Sequence, residues 1–465
     1  MYGLGGIISK IVPLIMVPIV TRIMPTTDYF GLSDLSNTVV QFASAFAVMG
    51  MYDAMYRMFF EKEDDEAKKD VCSTALVFTV AMSVLVFIIL LIFKKQIADY
   101  FFSDAKYAYI VYISAIATLV GATNCIISAP TRMQNKRKIF LVTNTVSPVL
   151  SYSISIPMLL AGYYTIALPL AAVVAGVTME ITFGVLNHQW FNPKRFSLDL
   201  LKKLLIIAVP LFPNFLIYWV FNACDKVMIT NIIGIGAMGV YSVGSKLGHA
   251  SQLIYSAFAG GWQFFAFSTM KENNQVRSNS LVFEYLGTIS FVATAFVCAW
   301  SYVLFEVFFS EQYLSGYIVA PYLFLAPLLQ MLFQVACNQF LVIKKTWPNM
   351  LILSAGAVVN IFLNYTLIPA IGIEGAAIAT LLGYVVSDIV CVIVLCKMKL
   401  MVVSRKFIVS CMAMVVFLVV WRLMCSSNIV AGTFGAVVLT GIYLALYRQE
   451  LRGLFKGMKN RKKTA

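Results

Sequence analysis

Residues 240–260 read VYSVGSKLGHASQLIYSAFAG, a run of apolar, small and hydroxyl-bearing residues long enough to cross a bilayer as a helix. Lys246 lies well inside this run. On insertion scales a lysine at the centre of a membrane helix costs about 2.5–3.5 kcal/mol. A span that keeps such a cation points to a function for it, provided that the chain is a membrane protein.

The composition of the chain is that of a membrane protein. Of its 465 residues, 60% are hydrophobic and 12% are charged, whereas soluble domains contain about 25% charged residues. The nine cysteines form no CxxC or Cys/His cluster and are interpreted as free, buried, small apolar residues. Two histidines are too few for a metal site without carboxylate ligands. We therefore expect an all-α polytopic membrane protein with no metal and no cofactor.

Apolar windows long enough to span a membrane predict about 14 transmembrane helices. The span that contains Lys246 is too long for one perpendicular crossing, so its end is expected to run along or beyond the cytoplasmic interface. The predicted spans are 2–23, 31–56, 71–93, 107–129, 139–160, 165–187, 204–223, 237–269, 281–305, 319–341, 349–369, 374–396, 407–424 and 430–447.

Lysine and arginine in the connections predict the orientation of these spans. With the N-terminus inside, the inside connections and the C-terminal tail hold 27 of the 35 basic residues, and the outside connections hold five. Both termini are therefore expected to face the cytoplasm. The net charge of +14 is then mostly a topology signal with some attraction to anionic membrane lipids. Since no connection is long enough to fold a basic soluble face, nucleic-acid binding is not expected.

An internal repeat with an offset of 208 residues recurs at two distant places. It aligns Gly31 with Gly239 and Glu180 with Asp388, which favours duplication of a six-helix unit. Because six is even, the two lobes would be related by a pseudo-twofold axis along the membrane normal. The predicted domains are an N-lobe at 1–200, a C-lobe at 201–400, and helices 13 and 14 with a basic cytoplasmic tail at 401–465.

Four stretches carry a resemblance to a known family: YGLGGIISKIVPLIMVPIVTRIMPTTDYFGLSDL at 2–35, GMYDAMYRMFFEKE at 50–63, NACDKVMITNIIGIGAMGVYSVGSKLG at 222–248 and VVNIFLNYTLIPAIGIEGAAIATLLGY at 358–384. They resemble the bacterial polysaccharide-repeat flippases of the O-antigen type. That family belongs to the MOP superfamily, with the MATE exporters and the lipid II flippase. Relatives usually have a longer lead before the first tyrosine–glycine, so a short cytoplasmic lead is expected to be missing here or the start misassigned.

The resemblance implies a MATE-like fold whose two bundles surround a central cavity that opens alternately to each side. The implied cargo is an undecaprenyl-diphosphate-linked oligosaccharide, moved from the inner to the outer leaflet of the bacterial cytoplasmic membrane during O-antigen and lipopolysaccharide synthesis. A glycan polymerase is an implied partner. Cations in the cavity would meet the diphosphate.

Three cations are the candidates for that contact. Lys246 is too deep to snorkel easily, and a structural ion pair with a carboxylate such as Asp34 is the alternative. Lys10 lies about a third of the way into the first span. For this residue a phosphate contact and snorkelling toward the cytoplasm are equally favoured. Arg57 matches an arginine of the family, but a surface pair with Asp53 at i,i+4 is favoured over a phosphate contact.

Four further residues are candidates for ion coupling by H+ or Na+, or for pairing in the cavity. Asp34 is interpreted as a coupling group, as a partner of Lys246 or as a helix cap. For Glu180 and Asp388, lateral salt bridges to loop lysines are favoured over transport. For His249, hydrogen-bonded packing is favoured over proton coupling.

Two more features concern the seventh span. Asp225 and Lys226 are expected to begin the outside connection after this span, as a local pair or a helix cap. Prolines at 13, 18, 210 and 213 predict bends in the first and seventh spans.

The rival functions differ in the chemistry they require. A MATE-type drug or cation antiporter would need more carboxylates than cations in its cavity, whereas a lipid II flippase would also need a basic cavity. A membrane enzyme, such as a glycan polymerase or a lipid-linked glycosyltransferase, would need acid and base groups at a wet site. The outside connections are short, and no carboxylate pair, nucleophile elbow or phosphate-binding loop is present, so we expect no enzyme.

Overall fold

A computed structural model describes residues 2–256, 258, 262, 266, 274–343, 347–450 and 452, with side chains from residue 11 onward. The described residues form helices joined by short turns, and none of them is in a strand. The α-helices are α1 Tyr2–Ile23, α2 Thr27–Val48, α3 Met51–Glu61, α4 Asp65–Ile92, α5 Lys94–Phe102, α6 Ala108–Met133, α7 Arg137–Leu160, α8 Ala167–Asn187, α9 Leu198–Ala208, α10 Phe212–Trp219, α11 Asp225–Ile232, α12 Ile235–Gly248, α13 Gln275–Phe308, α14 Val319–Val342, α15 Trp347–Ile371, α16 Ile373–Lys397, α17 Arg405–Val420 and α18 Ile429–Leu446.

Within the described part of the chain, 11 helical runs are long and apolar enough to cross a membrane. This confirms the all-α polytopic fold. The total of 14 spans stays a prediction. The 11 runs are Asp65–Ile92, Ala105–Met133, Arg137–Leu160, Ala167–Trp190, Leu198–Ile232, Gln275–Phe308, Glu311–Val342, Trp347–Ile371, Ile373–Lys397, Arg405–Cys425 and Ile429–Leu446.

The predicted span 31–56 is wrong as a single helix. Helix α2 ends at Val48, Met49 and Gly50 have φ angles of 46° and 74°, and α3 begins at Met51. A Cβ at Gly50 would lie 2.6 Å from the carbonyl oxygen of Ala208, so both the backbone angle and the close approach require glycine. Hydropathy alone does not detect this break because apolar residues continue on both sides of it.

The short helix α3 packs its apolar face into the first part of the fold. Met55 and Phe59 are buried together with Trp190 and Leu204, and the rings of Phe59 and Trp190 have centroids 5.4 Å apart. Tyr56 and Phe60, on the other face of the helix, are exposed. An amphipathic helix of this kind is typical of a membrane interface rather than of a spanning segment.

The seventh predicted span, 204–223, continues further than expected. A 3₁₀ turn at Val209–Leu211, which includes Pro210, separates α9 from α10. A π-helical turn at Val220–Cys224 then leads without a break into α11, which ends at Ile232. Asp225 and Lys226 therefore lie inside a helical run, and their placement in an outside connection is wrong.

The chain divides into two compact units, Met1–Val243 with Ala357–Ala379, and Gly244–Gly356 with Thr380–Ala465. In the first unit α6 packs against α2, α4 and α8, and α1 packs against α7. In the second unit α13 packs against α14, α17 and α18. The repeat-based lobes at 1–200 and 201–400 stay a prediction.

All nine cysteines are free thiols, as predicted. Cys337 and Cys391 are buried in the second unit with their Sγ atoms 3.6 Å apart. Cys396, near the end of α16, is exposed, so the prediction of burial is wrong for this residue.

Candidate functional site

An ion pair is buried in the first unit, between α2 and α11. The Lys226 Nζ atom lies 2.7 Å from Asp34 Oδ2, with the lysine side chain 10% exposed and the aspartate side chain 4% exposed. The Ser242 hydroxyl of α12 donates to the same carboxylate oxygen at 2.7 Å. A carboxylate with a cation and a hydroxyl donor can remain charged in a membrane span, because the pairing offsets its loss of hydration.

A second carboxylate lies next to this pair. Asp225 is buried, and it accepts hydrogen bonds from the Tyr241 hydroxyl and from the backbone N–H of Lys226 at 2.8 Å. We call Asp34, Asp225, Lys226, Tyr241 and Ser242 the charge cluster. It contains two carboxyl groups and one ammonium group, so with both carboxyls ionised it carries a net negative charge. Its lysine is already committed to a carboxylate and is a poor candidate for binding a phosphate.

Two glycines bring the helices of the charge cluster together. A Cβ at Gly239 of α12 would lie 2.1 Å from the Thr27 carbonyl oxygen, and a Cβ at Gly31 of α2 would lie 2.6 Å from the Ile235 carbonyl oxygen. Only glycine permits such close backbone approach at these two points. Ser242 follows Gly239 by three residues, one helical turn along α12, and so comes within reach of the α2 carboxylate.

The structure identifies the partner of Asp34 and corrects one interpretation of this residue. Helix α2 begins at Thr27 after an N-cap at Thr26, so Asp34 lies beyond the first turn and the helix-cap interpretation is wrong. The sequence does not identify Lys226 as its partner, because a charge pair at the end of an apolar window predicts a connection between helices. One signal was available: Asp225 and Lys226 are two opposite charges flanked by VFNAC and VMIT, so they interrupt an otherwise continuous apolar run.

The three predicted cations lie in different settings. Arg57 is exposed and pairs with Glu61, with its Nε atom 2.9 Å from Oε1, so the expected pair with Asp53 is wrong. Lys246 lies in the last turn of α12 and is half-buried. Lys10 lies in α1, but its side chain is outside the described residues.

The salt bridges expected for the repeat-related carboxylates are absent from the described residues. Glu180 is half-buried and accepts a hydrogen bond from the Thr123 hydroxyl. Asp388 is buried in α16, and neither of its carboxylate oxygens accepts a hydrogen bond from a described residue. His249 is half-buried, with its Nδ1 atom 2.7 Å from the Ser245 carbonyl oxygen.

The described residues contain no group of three or more histidine, cysteine or acidic side chains that would hold a metal ion. The charge cluster connects α2, α11 and α12 through buried charged and hydroxyl groups. A conformational change that separated these helices would expose unpaired charges, so the cluster favours one arrangement of the three helices.

The sequence also matches a known family. Residues 19–317, more than half of the chain, match the family model described as "Polysaccharide biosynthesis protein". The chain belongs to this family. A comparison with curated proteins finds no match.

The chain of this polysaccharide biosynthesis protein is also similar to solved structures of other proteins. The chain is similar to lipid II flippase MurJ in an inward closed conformation, with a TM-score of 0.73, 13% identity, and coverage of 98% of this chain and 99% of that one. It is similar to an inward-facing multidrug resistance MATE family transporter of the MOP superfamily, with a TM-score of 0.61, 13% identity, and coverage of 86% and 94%.

The Vibrio cholerae MATE transporter VcmN, in a mutant form, has a TM-score of 0.62, 13% identity, and coverage of 85% of this chain and 94% of that one. At these identities the likeness shows the fold, which is the MurJ and MATE fold expected from the sequence.

Proposed function

We propose that the protein is a flippase for undecaprenyl-diphosphate-linked oligosaccharide repeat units, such as those of O-antigen and lipopolysaccharide. It would move them from the inner to the outer leaflet of the bacterial cytoplasmic membrane by alternating access. The observation that carries this proposal is the family match over residues 19–317 in a chain whose fold covers 99% of the MurJ structure. A polysaccharide family and a fold shared with a lipid-linked glycan transporter point to the same class of cargo.

The orientation follows from the distribution of basic residues. With 27 lysines and arginines in inside connections and the tail, both termini would face the cytoplasm. The cytoplasmic side of the protein, which carries these lysines and arginines, is called the basic face. The cargo would then enter from the cytoplasmic leaflet, where its phosphates lie next to the basic face. A glycan polymerase outside the membrane would be a partner that consumes the product.

The diphosphate of the cargo requires cations in a central cavity, and Lys10, Arg57 and Lys246 are our proposed contacts. Asp34 is better assigned to the charge cluster, since its carboxylate is held by Lys226. Glu180, Asp388 and His249 are the proposed groups for coupling to H+ or Na+. Among them Asp388 is supported most, because a buried carboxyl that accepts no hydrogen bond from a described residue can exchange a proton when water reaches it.

Deleting the gene is expected to leave lipid-linked oligosaccharide on the cytoplasmic leaflet and to remove the surface glycan. The measurement is labelling of the oligosaccharide with a lectin that reaches only the periplasmic side, before and after cell disruption. Restoring the wild-type gene is the control. Unchanged surface glycan together with increased sensitivity to organic cations would support a MATE-type antiporter. A deletion that stops lipid II from reaching the periplasmic side would support a lipid II flippase.

Replacing Lys246 with alanine is expected to lower glycan export severalfold while the protein remains in the membrane, because the cavity would lose a cation that offsets the diphosphate charge. Lys246→Arg keeps the charge and should retain most of the export. Lys202→Ala is a matched control, since this lysine side chain is 76% exposed on the basic face. Normal export by Lys246→Ala at equal protein level would remove Lys246 from the proposed contacts.

A further inference from the structure

A polar cavity of about 300 Å³ lies within the first unit, separate from the charge cluster. Helices α6, α7 and α8 all contribute to its wall, through residues such as Asn124, Arg132, Ser147 and Met179. Its volume is at the lower end of the range found for small-molecule sites. A polar cavity of this size between three helices is large enough for a small ligand that pairs with its polar groups.

Arg132 is the charged residue of the cavity wall. It lies in the last turn of α6, and its guanidinium carbon is 5.4 Å from the centroid of the Phe140 ring and 6.0 Å from that of the Tyr52 ring. No described carboxylate forms an ion pair with it. Contacts with aromatic rings stabilise the guanidinium group through its face, which leaves its N–H edge for an anion.

The remaining polar groups of the wall are amides and hydroxyls. Asn124 and Ser147 are half-buried, and their side chains form no hydrogen bond with a described residue. An amide and a hydroxyl both donate and accept, as sugar hydroxyls do. Phe140 and Phe183 add apolar surface, on which the C–H face of a sugar ring can pack.

We infer that this cavity binds a phosphate-bearing sugar, with Arg132 on the phosphate and Asn124 and Ser147 on the sugar hydroxyls. The inference rests on the proposed function for its biological ligand, since a lipid-linked glycan presents a sugar phosphate at the membrane surface. A guanidinium group recognises phosphate by paired N–H donors. No carboxylate is among the residues of the wall, so Arg132 is the wall's charged group toward an anion.

The direct test is binding of soluble probes to the purified full-length protein by calorimetry. Glucose 1-phosphate carries both parts of the expected ligand, inorganic phosphate carries the anion alone, and glucose carries the sugar alone. Arg132→Gln should weaken binding of glucose 1-phosphate by about tenfold or more, the effect of losing a hydrogen bond to a charged group, and should leave glucose binding unchanged. Arg137→Gln is the matched control, since this arginine lies outside the wall and its Nε donates to Asn135 at 2.9 Å.

A second variant tests the cavity itself. A Cβ built on Gly121, in the cavity wall, would meet no atom within 4 Å, and the same holds for Gly184, which is not part of the wall. The Cβ of Gly121→Phe therefore meets no neighbouring atom, and its ring is expected to occupy the cavity and abolish binding. Gly184→Phe should bind the probes like the wild type.

The source of the phosphate is tested by competition. Micelles containing phosphatidylglycerol should not displace glucose 1-phosphate if the cavity is selective for sugar phosphates, whereas full displacement would reassign the site to phospholipid headgroups. Unchanged binding in both Arg132→Gln and Gly121→Phe, or no binding to the wild type, would overturn the inference. The binding test and the gene deletion can fail separately. If the protein is a flippase but this cavity binds no sugar phosphate, the deletion removes surface glycan and the probes do not bind. If the cavity binds sugar phosphate but the protein is no flippase, the probes bind and the deletion leaves surface glycan unchanged.

Discussion

Replacing Lys226 with methionine is expected to remove most of the folded protein from the membrane. Methionine has similar bulk but no charge, so the Asp34 carboxylate would stay buried without its ammonium partner and would keep the hydrogen bond from the Ser242 hydroxyl of α12. Breaking a buried ion pair by removing one partner typically costs about 3–5 kcal/mol, because an uncompensated charge is left in the interior. This is comparable to much of the stability of a folded domain.

The measurement is the melting temperature of the detergent-purified protein, together with its amount in the membrane. The double variant Asp34→Asn with Lys226→Met should recover part of the loss, since it removes both charges. Lys106→Met is the matched control, because the Lys106 ammonium lies 2.8 Å from Asp104 but its side chain is 65% exposed, and surface pairs contribute little. A Lys226→Met variant as stable as wild type would show that this ion pair does not hold the three helices together.

The spans that could be predicted from the sequence are those in which hydropathy is the dominant signal. The predicted span 374–396 corresponds to α16, Ile373–Lys397, and the predicted span 430–447 to α18, Ile429–Leu446. A membrane helix must satisfy its own backbone hydrogen bonds, so a long apolar segment has few structural alternatives. Hydropathy does not predict local backbone geometry: the left-handed turn at Met49 and Gly50 lies against Ala208, which is far along the chain.

The charge cluster could be predicted only in part. Asp34 was found because a lone carboxylate in an apolar segment is unusual. The sequence does not identify its partner Lys226, because the choice between Lys226 and Lys246 depends on which helices pack together. From the sequence, Arg132 is only a topology signal, because a sequence does not show that an arginine at the end of a helix borders a cavity.

The repeat offset of 208 residues also relates residues of the charge cluster. Asp34 and Ser242 are separated by the same 208 residues as Gly31 and Gly239, and both pairs are in contact. Residues that are equivalent in two halves of a duplicated protein touch each other when they lie close to the twofold axis that relates the halves. Such a contact would arise if the predicted duplication had its axis near α2 and α12, and both the duplication and the axis stay predictions.

Replacing Gly239 with alanine is expected to force α2 and α12 apart. The new Cβ would lie 2.1 Å from the Thr27 carbonyl oxygen and 3.2 Å from the Gly31 backbone nitrogen, and backbone atoms cannot move aside as a flexible side chain can. Overpacking of this kind costs about 1–3 kcal/mol and occasionally more. Separation of the helices would also lengthen the hydrogen bond from Ser242 to Asp34, so the variant should lose both melting temperature and glycan export.

Two variants separate the steric effect from the loss of the hydrogen bond. Gly121→Ala adds the same methyl group where no atom lies within 4 Å, and it should melt like the wild type. Ser242→Ala removes one donor to the charged Asp34 carboxylate without adding bulk, and it should lower the free energy of unfolding by about 1.5–3 kcal/mol. A Gly239→Ala variant that melts like Gly121→Ala would mean that the two helices tolerate a wider separation. The close approach would then have no part in holding Asp34, Lys226 and Ser242 together.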